Sequence, residues 1–155
     1  MIPMTLDRQK KIVALAQSLI GKPYRYGAMP EDAPALFDCS SFTQYCMRQV
    51  GIDIPRSTIL QAEDVRGAPV SLGENFSNLE PGDLLFFHGT RGHYSPAFPE
   101  GIGHVAIYID GGIIIHAGSR RTSEYPEITE VGVVEEQELS DTLKKLEPLV
   151  VIKRF

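Results

Sequence analysis

The segment that most constrains the fold is HVAIYIDGGIIIHA, the 14-residue run from His104 to Ala117. Two segments rich in β-branched residues flank the pair Gly111-Gly112, a pattern typical of a β-hairpin. A histidine lies at or near each outer end of this run. The run therefore predicts two antiparallel strands, and the two histidines can share a face only in one register.

That register depends on the length of the hairpin loop. A two-residue loop, Gly111-Gly112, would place His104 and His116 on opposite faces of the hairpin. A three-residue loop, 110–112, places both histidines on one face and leaves the other face without a polar residue. The second register is favoured, because a slip by one residue would move every side chain to the wrong face. The apolar face then carries Val105, Ile107, Ile109, Ile113, Ile115 and Ala117.

The rest of the chain predicts helices before this hairpin and strands around it. Helices are expected where a capping side chain precedes apolar residues at helical spacing. The predicted helices are 5–21 with Thr5 as cap, 38–50 with Asp38 as cap, and 57–64 with Ser57 as cap. Further strands are expected within 79–87, 131–136 and 149–155, with a short helix at 140–146. Helices followed by mostly antiparallel strands are typical of an α+β fold, and residues 1–155 suit a single domain.

Charge and hydropathy exclude several classes of partner. A net charge of −5 and a pI near 5.3 give no electrostatic reason to expect binding to nucleic acid or to an anionic membrane. Charged residues between Asp7 and Lys11 interrupt the N-terminal segment, so neither a secretion signal nor a membrane span is predicted. We therefore expect a soluble monomer that stays in the cytoplasm, or is exported by another route or after loss of a signal.

Two cysteines, Cys39 and Cys46, lie seven residues apart on the second predicted helix. A rise of about 1.5 Å per residue separates their Cα atoms by about 10 Å, too far for a disulfide, so both are expected to be free thiols. Cys39 falls at the first helical position, where unpaired N–H groups and the helix dipole stabilise a thiolate. Cys46 lies on an apolar stripe with Phe42 and Val50 and is expected to be a core residue.

Four histidines could serve as a base or as metal ligands: His88, His93, His104 and His116. No ligand pair has the close spacing of CxxC or HxxxH, so neither a metal site nor a cofactor is expected. In the favoured register His116 is a diagonal neighbour of His104, at about 7–8 Å between backbones, so the two imidazoles can meet. One histidine could take the proton of the Cys39 thiol while the other orients it, as covalent catalysis requires.

Five short motifs follow one another along the chain: GKPYRYGA, FDCSSF, IPRSTILQ, LEPGDLLFF, and the hairpin GHVAIYI with IIHA. Together they resemble the NlpC-type family of cell-wall cysteine peptidases, a compact papain-like group. The second motif is similar to the family's DCSGF nucleophile motif, and the last to its two-histidine hairpin. The resemblance implies a papain-like α+β fold, in which N-terminal helices pack on a mostly antiparallel sheet and the nucleophile begins a helix.

The resemblance also implies an activity. Cys39 would be the nucleophile, His104 the base and His116 the polar third member of the triad, while the Tyr24 hydroxyl helps to hold the oxyanion. Family members cut peptidoglycan stem peptides, typically between γ-D-glutamate and a diamino acid, so peptidoglycan or a muropeptide is the expected partner. Two alternatives stay open: a thiol amidase or acyltransferase of the same fold, and a binding domain that keeps the site without turnover.

Residues around the cysteine would form the substrate pocket. The resemblance implies that Asp38 and Ser40 contact the N-terminal side of the substrate, although capping a helix already explains Asp38. Arg56 could bind a substrate carboxylate or form a surface ion pair, and surface pairing is favoured. Ser41 and Ala28 replace glycines of the family pattern and are expected to narrow the pocket.

The segment HGTRGHYSPAFPEGIG, from His88 to Gly103, is longer than the family's usual connection at this place. A long loop that contains Gly and Pro and runs directly into a candidate catalytic residue is often functional. We expect His93, Tyr94 and Phe98 to cover the cleft, with His93 and Tyr94 in contact with the substrate. The alternative is a solvent-exposed excursion without a role.

Overall fold

The computed structural model describes residues 3–89, 92–145 and 148–155. The helices in these residues are α1 (Leu6–Ser18), α2 (Cys39–Arg48), α3 (Thr58–Glu63) and α4 (Leu139–Lys145). The strands are β1 (Ala68–Pro69), β2 (Leu84–Phe87), β3 (His104–Asp110), β4 (Ile113–Ser123), β5 (Thr129–Glu138) and β6 (Leu149–Arg154). They form a sheet in the order β1-β6-β2-β3-β4-β5, and all neighbours are antiparallel. The predicted α+β architecture is therefore confirmed.

The predicted helix starts are confirmed by their capping hydrogen bonds. In each of the first three helices a side-chain oxygen accepts a backbone N–H three residues later, which satisfies a donor left free in the first turn. The pairs are Thr5 with Arg8, Asp38 with Ser41 and Ser57 with Leu60, at 3.2, 2.8 and 3.3 Å. Gly21 and Gly51 follow α1 and α2 with φ angles of 95° and 84°, which favour glycine and end the helical path.

The β3–β4 hairpin has the predicted register in its body but a different turn. The Cα partners are Ile107 with Ile115, Tyr108 with Ile114 and Asp110 with Ile113. The loop is thus Gly111-Gly112, and the prediction of a loop at 110–112 is wrong. Positive φ angles of 58° and 78° at the two glycines build the two-residue turn. A bulge at Ile109 absorbs the additional residue, so the rings of His104 and His116 still meet.

The sheet buries apolar side chains on both faces. On one face, α2 packs directly on β3 and β4, α1 packs on α2, and α3 packs on α2 and β6. Phe37 and Phe42 are fully buried there, with ring centroids 5.5 Å apart in an edge-to-face arrangement. Truncation of Phe42 to Ala would cost about 3–5 kcal/mol. The start of α2 is therefore held firmly against the strands that carry the histidines.

Several elements differ from the predicted ones. β4 extends to Ser123, beyond the predicted hairpin, and pairs along most of its length with β5. β1 and the 3₁₀ turns Pro30–Asp32 and Glu74–Phe76 were not predicted, because elements of two or three residues have no periodicity. α4 matches the predicted helix, whose last residue, 146, lies outside the described residues. None of the helices in the described ranges is long and apolar enough to cross a membrane.

Candidate active site

A cleft of about 810 Å³ opens between the start of α2, the start of α3 and the facing parts of β4 and β5. Eight of the sequence-predicted site residues line it: Tyr24, Asp38, Cys39, Ser40, Arg56, His93, His104 and His116. Among the described residues, Tyr94, Ser41 and Ala28 do not line this cleft. Ser41 instead accepts the Asp38 N–H through its hydroxyl at 2.9 Å, which completes a capping box. The expectation that Ser41 and Ala28 narrow the pocket is wrong.

The thiol of Cys39 lies at the first position of α2, and only 8% of the residue is exposed. Its Sγ atom is 3.6 Å from Thr58 Oγ1. The same sulfur is 4.0 Å from the carbonyl oxygen of Gly103, the residue immediately before His104. The nucleophile candidate is thus held beside the start of β3 and, from the opposite side, by the start of α3.

The surroundings of Cys39 act on its pKa in both directions. Burial raises the pKa of the thiol, and the carboxylate of Asp38 raises it further. The Thr58 hydroxyl and the backbone N–H groups of Val105 and Ser40 lower it, but the pKa stays above its ordinary value. The Ser40 N–H at the start of α2 favours the thiolate, as expected, but desolvation of the sulfur outweighs it. Cys39 needs a base to become a nucleophile.

Three neighbouring strands contribute one side chain each to a line of hydrogen bonds. His104 Nε2, on β3, lies 2.7 Å from His116 Nδ1, on β4. His116 Nε2 in turn lies 3.0 Å from Gln137 Oε1, on β5. The two imidazole rings stand edge to face, with centroids 4.9 Å apart. Glu135 Oε1 is a further oxygen near His116 Nε2, at 3.7 Å.

These contacts determine which ring nitrogens carry protons. The oxygens of Gln137 and Glu135 can only accept, so His116 Nε2 must carry a hydrogen. In a neutral imidazole the other nitrogen is then an acceptor, so His116 Nδ1 accepts a hydrogen bond from His104 Nε2–H. His104 consequently keeps its own Nδ1 unprotonated. An imidazole in this state can take a proton through Nδ1.

Burial keeps both histidines neutral. The pKa of His104 lies well below 6.5, because the ring is desolvated and because His116 is adjacent. The pKa of His116 is also lowered by burial, and Lys145 adds to that effect, while Glu135 and Gln137 oppose it. Near pH 7 these shifts favour the neutral form of both imidazoles and of the thiol.

Arg56 joins the cap of α2 to the wall of the cleft. Its guanidinium lies 2.7 Å from Asp38 Oδ2 and donates to the Ser40 hydroxyl at 2.8 Å. It also donates to the carbonyl of Ala28. The ion pair is partly buried, with 30% of the Arg56 side chain exposed. The pairing that the sequence favoured is present, but it lies in the cleft rather than on the outer surface.

Tyr24 reaches the cleft because the segment after α1 is tied to β5 and to Phe37, the residue before the cap of α2. Its N–H donates to the carbonyl of Gly132 at 2.9 Å, and the residue forms a β-bridge with Phe37. The side chain packs partly on the helical core and lines the same cleft as Cys39. The structure brings these two residues to one cleft, and an oxyanion role for Tyr24 stays a prediction.

The segment 88–103 brings one of its three expected residues to the cleft. His93 lines the cleft and is held by two backbone hydrogen bonds to Ile102, both 2.9 Å. Tyr94 is 68% exposed and packs its ring on Gly101, while Phe98 packs against the helical core. Residues 90 and 91 lie outside the described residues.

Gln137, Glu135 and Thr58 were not identified as site residues from the sequence. Alternation within VGVVEEQE does place Glu135 and Gln137 on one face of a strand. Their meeting with His116 depends on the β4–β5 register, and the hairpin tip at 124–128 has no signature that sets it. Thr58 stands inside the quoted segment IPRSTILQ, but its contact with Cys39 depends on how α3 packs on α2. In the described part of the chain, no group of three or more His, Cys, Asp or Glu could hold a metal ion.

Known proteins resemble this chain in sequence and in fold. The model of the NlpC/P60 family matches residues 21–138. A probable endopeptidase of Corynebacterium glutamicum is 39% identical over 106 residues, which are 68% of this chain and 41% of that protein. This chain thus spans less than half the length of that relative.

Solved structures share the fold. A Staphylococcus aureus protein described as similar to a lipoprotein of the NLP/P60 family has a TM-score of 0.69 and 26% identity, over 99% of this chain and 43% of that one. The peptidoglycan hydrolase RipB of Mycobacterium tuberculosis has a TM-score of 0.54 and 23% identity, over 96% of this chain and 64% of that one. The second likeness concerns the fold alone.

Proposed function

This chain belongs to the NlpC/P60 family, and from that membership we propose that residues 1–155 form one cysteine endopeptidase domain for peptidoglycan stem peptides. The proposed scissile bond joins γ-D-glutamate to a diamino acid, and the proposed substrate is peptidoglycan or a muropeptide. The Corynebacterium relative is named a probable endopeptidase, and RipB is named a peptidoglycan hydrolase. The first name supports the proposed activity, and the second belongs to a protein that shares the fold.

One observation carries the proposal: the line of hydrogen bonds from Gln137 through His116 to His104. It leaves His104 Nδ1 unprotonated in the cleft that also holds Cys39. Nucleophile, base and orienting group are the three parts that covalent catalysis by a thiol needs. A domain that only binds peptides has no need of a buried histidine pair with a defined tautomer.

The first chemical step forms the acyl-enzyme. His104 Nδ1 takes the proton from the Cys39 thiol as Sγ attacks the amide carbonyl, so that thiolate and imidazolium arise together. The high pKa of the thiol and the low pKa of the imidazole favour this coupled transfer over an ion pair at rest. The carbonyl oxygen becomes an oxyanion, which N–H groups at the start of α2 and the Tyr24 hydroxyl stabilise.

The second step expels the amine and restores the enzyme. The imidazolium of His104 gives its proton to the leaving nitrogen, the C–N bond breaks, and the acyl group stays on Sγ. Water then loses a proton to the same imidazole and attacks the thioester, which releases the acid and the thiol. The hydrogen bond between His116 and His104 persists throughout, so the His104 ring keeps its orientation in the cleft.

The charges in the cleft suit a stem peptide. A γ-linked glutamate keeps a free α-carboxylate beside the scissile amide, so its site needs a cation. Arg56 lies near the nucleophile but is engaged by Asp38, while Arg120 and Lys145 line the same cleft on the side of β4 and α4. We therefore assign the recognition of substrate carboxylates to Arg120 and Lys145. Arg56 instead has a structural role, since it holds Asp38 and Ser40 at the start of α2.

Digestion of defined muropeptides tests the proposal. The chain is incubated with stem peptides that contain either diaminopimelate or lysine after γ-D-glutamate, and the products are weighed. Cys39→Ala is the matched inactive control. The proposal expects cleavage with one water added at the γ-D-glutamyl bond of at least one peptide. Cleavage elsewhere, acyl transfer to an added amine instead of hydrolysis, or no cleavage by a folded protein with a reactive Cys39 would each contradict it.

A further inference from the structure

Thr58 places a hydroxyl within hydrogen-bond distance of the candidate nucleophile. It is the first residue of α3, it is buried, and its Oγ1 atom lies 3.6 Å from Cys39 Sγ. Within the described ranges the sulfur is the hydrogen-bond partner found for this hydroxyl. A threonine hydroxyl can accept from a thiol and donate to a thiolate, so one residue can serve both states of the sulfur.

The position of Thr58 is fixed by contacts on both sides. Ser57 caps α3 by accepting the N–H of Leu60 at 3.3 Å. Gln61, fully buried, donates through Nε2 to the carbonyl of Ser40 at 3.0 Å, and so ties α3 to the first turn of α2. Gln61 Oε1 also accepts from the Thr43 hydroxyl at 2.7 Å. These bonds hold the Thr58 hydroxyl and the Cys39 sulfur at a constant separation.

We propose that Thr58 positions the nucleophile and donates its hydroxyl hydrogen bond to the Cys39 thiolate as His104 removes the proton. The thiol proton moves from Sγ to His104 Nδ1, and the Thr58 hydroxyl keeps its own proton throughout. After water has cleaved the thioester and the proton has returned to Sγ, the hydroxyl turns to accept again. This inference rests on the proposed role of Cys39 as nucleophile, but not on the identity of the substrate.

The direction of the effect follows from the balance around the sulfur. Burial and the Asp38 carboxylate raise the pKa of Cys39, and the Thr58 hydroxyl is the first of the groups that lower it, ahead of two backbone N–H donors. Removal of the Thr58 hydroxyl should therefore raise the pKa of Cys39 further. The titratable and charged side chains that line the cleft together with the thiol are Tyr24, Tyr26, Asp38, Arg56, His93, His104, His116, Arg120, Glu130, Glu135 and Lys145.

The experiment compares Thr58→Val, which keeps the shape of the side chain, with Thr58→Ser, which keeps the hydroxyl. Both are made in a Cys46→Ala background, so that iodoacetamide reports Cys39 alone, and alkylation rates are measured across pH. We expect Thr58→Val to move the midpoint of the profile to higher pH and to slow alkylation at pH 7 by about two- to tenfold, while Thr58→Ser stays near the parent. Activity, where measured, should fall with the same pattern.

Thr5→Val is the matched control, because it makes the same change of side chain at the cap of α1, away from α3 and the sulfur. It should lower thermal stability and leave the alkylation midpoint unchanged. An unchanged midpoint in a folded Thr58→Val protein overturns the proposal, and so does a Thr58→Ser protein that behaves like Thr58→Val. If the profiles shift as expected while no muropeptide is cut, the role of Thr58 stands and the proposed function fails.

Discussion

The start and the middle of α2 each bury a cysteine in the same apolar cluster, but the polar groups around the two sulfurs differ. Cys46 is fully buried in the apolar cluster with Phe42, and burial alone raises the pKa of its thiol. Cys39 is also buried and its thiol pKa is also raised, but a hydroxyl and two backbone N–H groups point at its sulfur. The same residue type on the same helix thus meets either hydrocarbon or hydrogen-bond donors.

The difference teaches what makes a buried thiol useful. Burial opposes ionisation at both positions, so burial does not separate the two cysteines. The separation comes from groups that can stabilise a thiolate once it forms, and from a base that can form it. Only the start of α2 opens to the cleft that contains His104.

The largest expected effect comes from exchanging the two cysteines for alanine. Cys39→Ala should lower turnover of a stem peptide by at least about 10³-fold, because no nucleophile remains, with little change in melting temperature. Cys46→Ala should stay active and lose about 1 kcal/mol of stability through a small cavity. Turnover and thermal unfolding of both variants check this. Full activity in Cys39→Ala would remove the distinction between the two positions.

Much of this contrast could be predicted from the sequence, because it is local. The Asp38 cap sets where α2 starts, and helical spacing puts Cys46 on the buried stripe with Phe42. The pKa of Cys39 could not be predicted, since desolvation depends on what packs over the sulfur from residues distant in the chain. Strand alternation could bring the two histidines to one face, but not identify Gln137, whose contact needs the register between β4 and β5.

The second prediction concerns the base, His104, and the histidine that orients it, His116. His104→Ala should lower kcat/KM by at least about 100-fold, because the thiol of Cys39 is neutral without a proton acceptor. His116→Asn should retain part of the activity, because an amide can still accept a hydrogen bond from His104. Steady-state kinetics on one muropeptide compare the two. Equal and complete loss in both variants would contradict the division between base and orienter.

The third prediction concerns pH. A base works in its neutral form, and the pKa of His104 lies well below 6.5 because of burial and the adjacent His116. Activity should therefore persist as pH falls through 6.5 and decline only nearer the lower pKa of the folded protein. As pH falls from about 6.5 to the lower pKa of folded His104, the free energy of unfolding should decrease. The reason is that the unfolded chain binds a proton in this range and the folded protein does not. An acid limb of kcat/KM at or above 6.5 would instead indicate that the pKa of the base is not lowered.

A smaller effect is expected at the far end of the hydrogen-bonded line. Gln137→Ala removes the acceptor for His116 Nε2 and should lower kcat/KM by about tenfold or less, because Glu135 Oε1 remains 3.7 Å away. Gln137→Glu keeps an acceptor and should stay closer to the parent. A loss in Gln137→Ala as large as that in His104→Ala would mean that Gln137 does more than hold the tautomer.

The smallest effects are expected in the segment 88–103. His93→Ala should change the preference between diaminopimelate and lysine peptides by a few-fold at most, since His93 lines the cleft. Tyr94→Ala should change neither activity nor preference, because its ring lies on Gly101, away from the cleft. Kinetics on the two peptides measure both variants. Phe98 is left intact because it belongs to the core, and its removal would confuse binding with folding.

The base and the two side chains that orient it come from three adjacent strands. This arrangement limits how the chemistry could be moved to another scaffold. His104, His116 and Gln137 come from β3, β4 and β5, and the last of them determines where the proton of the first resides. A graft of the two histidines on a hairpin alone would leave His116 free to adopt either tautomer. In one of the two tautomers His116 would offer His104 a donor where His104 needs an acceptor. The smallest transferable unit is therefore a three-stranded sheet in its native register, not a pair of side chains.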